Sequence, residues 1–441
     1  MKNARIRLFI FLAVVTAAFF AGPRPASGRD IPAILGLKDR AAVRDRWLGL
    51  RLETVLPEVM RREKIDMWLV ICAEDNEDPV YLTLVPADSY SARRTTMLVF
   101  FDRGKNGIER LTVGRYGIGK LYPASWDPEK IDQWSRLAEI VKERNPSRIG
   151  INESDVFAFA DGLSASHKAR LVRALGPDFS RRLVSAERLA VGWLERRTPD
   201  ELDVYDHIAA VAHAIIAEVF SRDAVTPGVT TVSDVVWRLR ERVSSLGLET
   251  WFQPSVEIQR PGESLDGEAD VIHRGDLLHC DFGIRYLGLC TDTQQHAYVL
   301  RPGEEDAPAG LKAALAQGNL LQDILLEEFK EGRAGNEILA SALRKAKAAG
   351  LRPSIYTHPL GYHGHAAGPT IGLWDKQNGV PGDGDYPLFA DTVYSIELNI
   401  TAAVPEWGGT DVRIALEQDA VFGRTGSRFL DVRQTAFHLI R

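Results

Sequence analysis

An α/β domain followed by a larger α+β domain is the fold class this sequence predicts, and three observations predict it. The chain has 441 residues, more than a single hydrophobic core organises. Its first half alternates short apolar runs with helical stretches. A complete helix-start signal then stands at Arg196-Arg-Thr-Pro-Asp-Glu201. Hydrophobic residues make up 45% and charged residues 26%, which is ample material for a sizeable interior.

Taken in order, residues 37–64 read as helix with an interruption expected at Pro57, and they lead into an apolar strand over 67–72. Further strands are expected at 96–101 and 148–151, with helix near 128–143 between them. This rhythm assigns 29–190 to the α/β domain. In the helix-start signal, Thr198 is a good N-cap, Pro199 suits the first turn and Glu201 can complete a capping box. A long helix is therefore expected to about Ser221, with a linker at 190–197 and the second domain spanning 196–441. Helices are expected there at 231–246, 311–329 and 336–349, and the remainder alternates short strands with Gly/Pro turns.

Residues 1–28 have the three-part layout of a secretory signal: basic Lys2, Arg5 and Arg7, an apolar run from Leu8 to Ala21, and a small-residue exit at Ala26-Ser27-Gly28. The 14 apolar residues fall short of the roughly 20 that span a bilayer as a helix. Cleavage before Arg29 is expected, and with it a secreted or periplasmic protein with no stable membrane span. A net charge of −6 supplies no basic field for phosphate backbones, which argues against nucleic acid as a partner. The three cysteines, Cys72, Cys280 and Cys290, are odd in number and irregularly spaced, a poor disulfide framework. Strand alternation also turns Cys280 away from Asp281 and sets Cys290 on the side of Asp292, so those two are not expected to pair.

Chemistry concentrates in the second domain. Asp281 (Cys-Asp-Phe-Gly) and Asp292 (Cys-Thr-Asp-Thr) lie in strand-like runs joined by a short connection, and an antiparallel hairpin would set them side by side. The segment 356–369 holds His358, His363 and His365, three of ten histidines, among small residues that let imidazoles approach a shared site. Glu397 sits between apolar flanks in Ser-Ile-Glu-Leu, where a buried carboxylate needs a partner. Glu417 ends a run in which Asp411, Arg413, Ala415 and Glu417 share one strand face, so an ion pair with Arg413 is its simplest partner. Four carboxylates and an imidazole cannot gather in a dry pocket unless cations sit among them.

The order and spacing of these residues resemble the family that includes aminopeptidase P, prolidase, methionine aminopeptidase and creatinase. That resemblance covers most of the chain and implies a creatinase/prolidase-type N-terminal domain followed by a pita-bread catalytic domain. It also implies metal ligation by Asp281, Asp292, His365, Glu397 and Glu417, with His365 matched through Gly-His-Ala-Ala-Gly. Glu397 would also handle the proton of the attacking water, and His358 or His363 would donate to the developing oxyanion. His363 remains a rival to His365 as the ligand. The family's Arg-x-Glu motif adds Arg413 to the catalytic set. Departures from the family pattern are Leu398-Asn399 after the first glutamate, the longer Arg413-Ile-Ala-Leu-Glu417, and the lack of a clear later histidine near Trp374-Asp375.

Two divalent cations would balance the four carboxylates and let a bridging water ionise to the attacking hydroxide near neutral pH. Oxygen-rich ligation favours Mn²⁺, with Co²⁺, Fe²⁺ or Zn²⁺ as alternatives. The implied activity is that of an Xaa-Pro aminopeptidase or Xaa-Pro dipeptidase, acting on peptides with proline after the scissile bond. Tyr362, Trp374 and Trp407 are candidate walls of a proline pocket, and homo-oligomerisation is left open. The alternative is a member of the same fold with altered specificity, either a creatinase-like amidinohydrolase or a non-catalytic binding protein.

Overall fold

A computed structural model describes residues 30–262 and 270–441. The expected signal segment, 1–28, lies outside the described residues. The N-terminal unit begins with helices Leu37–Glu53 and Val55–Arg62, broken at Thr54. Pro57 sits inside the first turn of the second helix, where its missing N–H has no partner to lose. The break therefore falls ahead of the proline.

Five strands form the sheet of this unit in the order Ile108–Thr112, Thr95–Asp102, Met67–Ala73, Ile149–Ile151, Leu183–Ser185. The central strand Met67–Ala73 pairs antiparallel with one neighbour and parallel with the other. Its continuous apolar run is explained by burial of both faces. Trp68, Val70 and Cys72 enter one core, and Met67, Leu69 and Ile71 alternate into another.

The segment expected to be a linker is not one. Residues Glu187–Glu195 form a helix whose last seven residues are all buried, because its apolar side packs into the same core as helix Val55–Arg62 and reaches Tyr386 and Ala367 of the second domain. The next helix, Pro199–Val219, starts with the expected capping box: Glu201 N–H donates to Thr198 Oγ1 at 3.3 Å, and Thr198 N–H donates to Glu201 Oε2 at 2.7 Å. Helices Val232–Ser245, Ala309–Glu327 and Gly335–Ala348 follow close to their expected bounds.

Strand Leu277–Phe282 pairs antiparallel with Thr293–Val299 on one side and with Ser255–Gln259 on the other. The expected hairpin between Asp281 and Asp292 is thus present, with a second hairpin inserted at its tip. Strands Ile284–Tyr286 and Leu289–Cys290 turn through Leu287 and Gly288, both at positive φ. Two further sheets complete the unit. In one, Leu398–Val404 lies between Pro353–Ile355 and Thr410–Leu416; in the other, Thr392–Ser395 lies between His358–Leu360 and Asp419–Gly423. Cys280 and Cys290 both enter one core, and all three cysteines are free thiols. Among the described residues no helix is long and apolar enough to cross a membrane.

Candidate metal centre

Strand alternation explains how acids enter this interior. Leu278, Cys280 and Phe282 fill one core, so Asp281 projects from the opposite face of its strand. Ile396 and Leu398 fill another core, and Ser395 and Glu397 alternate away from it. Leu416 enters that same core and Glu417, the next residue, faces the other way. Glu417 is tied to the first sheet by its backbone, since Gln294 N–H donates to Glu417 O at 3.1 Å. Asp292 directly precedes strand Thr293–Val299, and its N–H donates to Asp419 Oδ1 at 3.1 Å.

The result is a cluster in which ligand atoms of Asp281, Asp292 and Glu417 lie within 4.8 Å of one another, as do those of His358, Glu397 and Glu417, and those of Asp292, His358 and His365. His358 Nε2 stands 3.4 Å from Glu417 Oε1, 3.5 Å from Asp292 Oδ2 and 4.0 Å from Glu397 Oε2. Its Nδ1 lies 3.0 Å from Pro359 O. A carbonyl only accepts, so Nδ1 carries the proton of that bond and Nε2 faces the carboxylates as a ligand atom would.

Burial raises the proton affinity of Asp281, Asp292, Glu397 and Asp419, and repulsion from neighbouring carboxylates raises it further. The Asp281 carboxyl is pushed up to about 8 by burial and then by Glu417. Asp292, Glu397 and Asp419 move well above the carboxylate range, burial being the first cause in each. Burial would lower His358, but Glu417 and then Glu397 outweigh it and raise the ring. Asp281 Oδ1, Asp292 Oδ1, Asp419 Oδ2 and His358 Nε2 are buried without a hydrogen-bond partner. Orphaned ligand atoms aimed at one another fit a cationic guest, which would satisfy them and reverse the repulsion.

The remaining expected site residues fall in different places. His365 lies edge-on to His358, with ring centroids 4.6 Å apart, beside Trp251 and Tyr356. Burial and then His358 lower it to about 4. The structure therefore brings both histidines together, and it is His358 that three carboxylates surround. The sequence holds two His-x-x-Gly runs, His358-Pro-Leu-Gly361 and His365-Ala-Ala-Gly368. The first lies on a strand that sets His358 opposite Ser395, two residues from Glu397.

His363 is not part of the cluster. It stacks on Phe159 of the N-terminal domain at 4.4 Å, because the loop after Gly361 folds back over that domain. Arg413 is also elsewhere: its half-exposed guanidinium donates to Glu257 at 2.7 Å. Glu417 instead accepts from Ser395 Oγ at 2.6 Å and Gln294 Nε2 at 3.0 Å. A guanidinium finds water and a surface partner on the outer face, whereas Glu417 lies beyond the last strand residue and turns inward. None of the three expected pocket aromatics reaches the cluster. Trp407 is core, Trp374 is 79% exposed, and Tyr362 lies over Arg51 and Arg197.

Sequence reasoning passed over Asp419, although it follows Glu417 at the same-face interval of two. It also passed over Gln294, which stands in the same relation to Asp292.

Residues 204–420 match metallopeptidase family M24. No curated protein matches the chain. Among solved structures, X-Pro aminopeptidase from Thermotoga maritima is similar with a TM-score of 0.61 at 17% identity, over 87% of this chain and 99% of that one. For Xaa-Pro dipeptidase from Bacillus anthracis the TM-score is 0.58 at 18% identity, over 90% and 100%. The N-terminal domain of FACT complex subunit SPT16 from Cicer arietinum has a TM-score of 0.54 at 11% identity, over 92% and 98%. Likeness at such identities speaks to the fold, which is the pita-bread arrangement behind an α/β N-terminal domain. The residues of the acidic cluster all lie within 204–420, the part of the chain that matches metallopeptidase family M24.

Proposed function

We propose that this protein is an exported peptidase that works with two divalent cations and cleaves the bond before proline, as an Xaa-Pro aminopeptidase or Xaa-Pro dipeptidase. One observation carries the reading: two ligand trios, Asp281/Asp292/Glu417 and His358/Glu397/Glu417, share a carboxylate. Sharing a carboxylate is how adjacent cations are held together. When bound, the cations supply Lewis acidity toward the scissile carbonyl and acidify water. The preponderance of oxygen donors favours Mn²⁺.

The chain's own residues divide the remaining work. Glu397 is less buried than Asp292 and Glu417, so its Oε2 is placed to take a proton from the attacking water and return it to the leaving amine. His365 stands beside His358 with a neutral ring, placed to donate to a developing oxyanion. Trp251 and Tyr356 flank that histidine and offer an apolar wall for a substrate side chain. Preference for proline draws support from the two peptidases that share the fold, and export from the composition of residues 1–28.

The test is turnover of an Xaa-Pro peptide panel by protein reconstituted with Mn²⁺, set against Asp292→Ala. Release of the N-terminal residue by wild type alone supports the proposal. A wild type no faster than the variant on every peptide overturns it in favour of a binding protein on the same scaffold.

A further inference from the structure

We infer that Gln294 is a positioning residue for the metal centre: its one amide group selects which oxygens of Glu397 and Glu417 face the cations. The inference rests on the metallopeptidase reading above and names a residue that no motif in the sequence assigns. Gln294 Nε2 donates to Glu397 Oε1 at 2.8 Å and to Glu417 Oε2 at 3.0 Å. The two carboxylates come from different strands, and one NH₂ group has two hydrogens, so a single donor binds both acids. The oxygens the amide does not bind are Glu397 Oε2 and Glu417 Oε1, the latter accepting instead from Ser395 Oγ at 2.6 Å. These are the atoms that stand 4.0 and 3.4 Å from His358 Nε2. The amide thus binds one oxygen of each carboxylate and turns the other toward His358, with Ser395 Oγ also donating to that of Glu417.

The orientation of the amide is itself determined. His279 Nε2 lies 2.9 Å from Gln294 Oε1, and an amide oxygen only accepts, so the imidazole donates and the NH₂ end must face the acids. His279 Nδ1 lies 3.5 Å from Glu257 Oε2, and Glu257 is held by Arg413. Backbone contacts fix the same residue: Gln294 pairs opposite Asp281 in the sheet and exchanges main-chain hydrogen bonds with Glu417 in both directions. Gln294 therefore touches or faces three of the acids while carrying no charge. A carboxylate at this place would add to the repulsion, and an apolar side chain would leave both held oxygens buried and unpaired.

The experiment measures Mn²⁺ binding to metal-free full-length protein by calorimetry, for wild type, Gln294→Ala and the isosteric Gln294→Glu. Chelator-treated samples are melted in parallel. Loss of an outer partner of metal ligands weakens affinity by about 10–100-fold, so Gln294→Ala is expected to raise Kd by that factor for at least one of two binding events. Gln294→Glu is expected to do so despite its matching shape. A merely structural role would lower the melting temperature and leave Kd alone; that result, or Kd values within about twofold of wild type, overturns the inference. Wild type that binds no Mn²⁺ refutes the metallopeptidase reading itself. Tight wild-type binding with unchanged variants removes only the clamp.

Discussion

Arg51, Glu201 and Arg197 at the junction of the two domains are as withdrawn from water as Asp292, Glu417 and His358 in the metal centre, none being more than 3% exposed. In the junction two guanidinium groups meet one carboxylate. Glu201 accepts from Arg51 Nη1 at 3.0 Å, Arg197 Nη1 at 3.2 Å, Thr198 N–H at 2.7 Å and Tyr362 O–H at 3.3 Å. Further guanidinium hydrogens reach the carbonyls of Trp193, Leu194 and Arg196, and only the two Nε atoms of Arg51 and Arg197 are buried without a partner. Burial alone would raise Glu201, but Arg51 and Arg197 outweigh it and hold the carboxyl below its ordinary value. In the metal centre the same depth of burial is met by more acids, and Asp281, Asp292 and Glu397 all move upward. Burial of charge thus marks structure where the chain completes it, and marks a ligand site where the chain leaves it incomplete.

Asp292→Asn breaks this contrast most sharply. Removing one of the carboxylates that face His358 is expected to lower kcat/KM by at least about 10³-fold, because several kcal/mol of transition-state stabilisation depend on the cations. In chelator the same variant is expected to melt no lower than wild type, since a repelled charge has gone. Calorimetry with and without chelator checks the sign. A metal-free variant several kcal/mol less stable than wild type would show that the acids are paired internally after all.

Glu201→Ala probes the other side of the contrast. Two guanidinium groups would be left buried around no carboxylate, and breaking such a pair costs about 3–5 kcal/mol. Denaturant unfolding should show that loss equally with and without cations. A loss below about 1 kcal/mol would place the junction among ornamental ion pairs.

Glu195 lies between the two cases, and pH resolves it. It ends the junction helix fully buried, accepts from Tyr386 O–H at 3.1 Å through Oε1, and leaves Oε2 without a partner. Burial pushes its carboxyl up to about 8, with Arg62 only partly opposing. The folded state therefore binds this proton more tightly than the unfolded chain, whose ordinary value is 4.5. The contribution to stability is present below that value and is lost as pH rises through about 8. Glu195→Gln should flatten this decline and stabilise the protein well above pH 8, by up to roughly 5 kcal/mol. Parallel stability–pH curves for variant and wild type would refute the assignment.

These contrasts also set the limits of what the sequence discloses. Short-range rules served well where they are complete in themselves. The Thr198–Glu201 box is a local exchange of hydrogen bonds, and the alternation that buries Ile396 and Leu398 turns Glu397 inward without reference to distant chain. The junction helix was misread as a linker because its burial depends on helix Val55–Arg62 and on the second domain, neither adjacent in sequence. His358 and His365 share one pattern, His-x-x-Gly, and only the pairing of His358 with Ser395 distinguishes them. Gln294 carries no charge and belongs to no motif, so its same-face interval from Asp292 is a faint sign that gains meaning only from the side-chain contacts.

Arg413→Ala is the smallest expected effect and sharpens the comparison from its outer edge. On the strand pattern Arg413 shares a face with Glu417, yet its guanidinium is 45% exposed and paired to Glu257, which is 51% exposed. An exposed ion pair contributes about 0–1 kcal/mol and weakens with salt. Its influence on the cluster must pass through Glu257, His279 and Gln294 in turn, and His279 holds the Gln294 amide from the buried side whether or not Arg413 is present. The expected change in kcat/KM is therefore under about threefold, shrinking further at high salt. A loss approaching that of Asp292→Asn would mean that the arginine swings inward on substrate binding and belongs to the incomplete cluster, moving the boundary between compensated and uncompensated charge out to the protein surface.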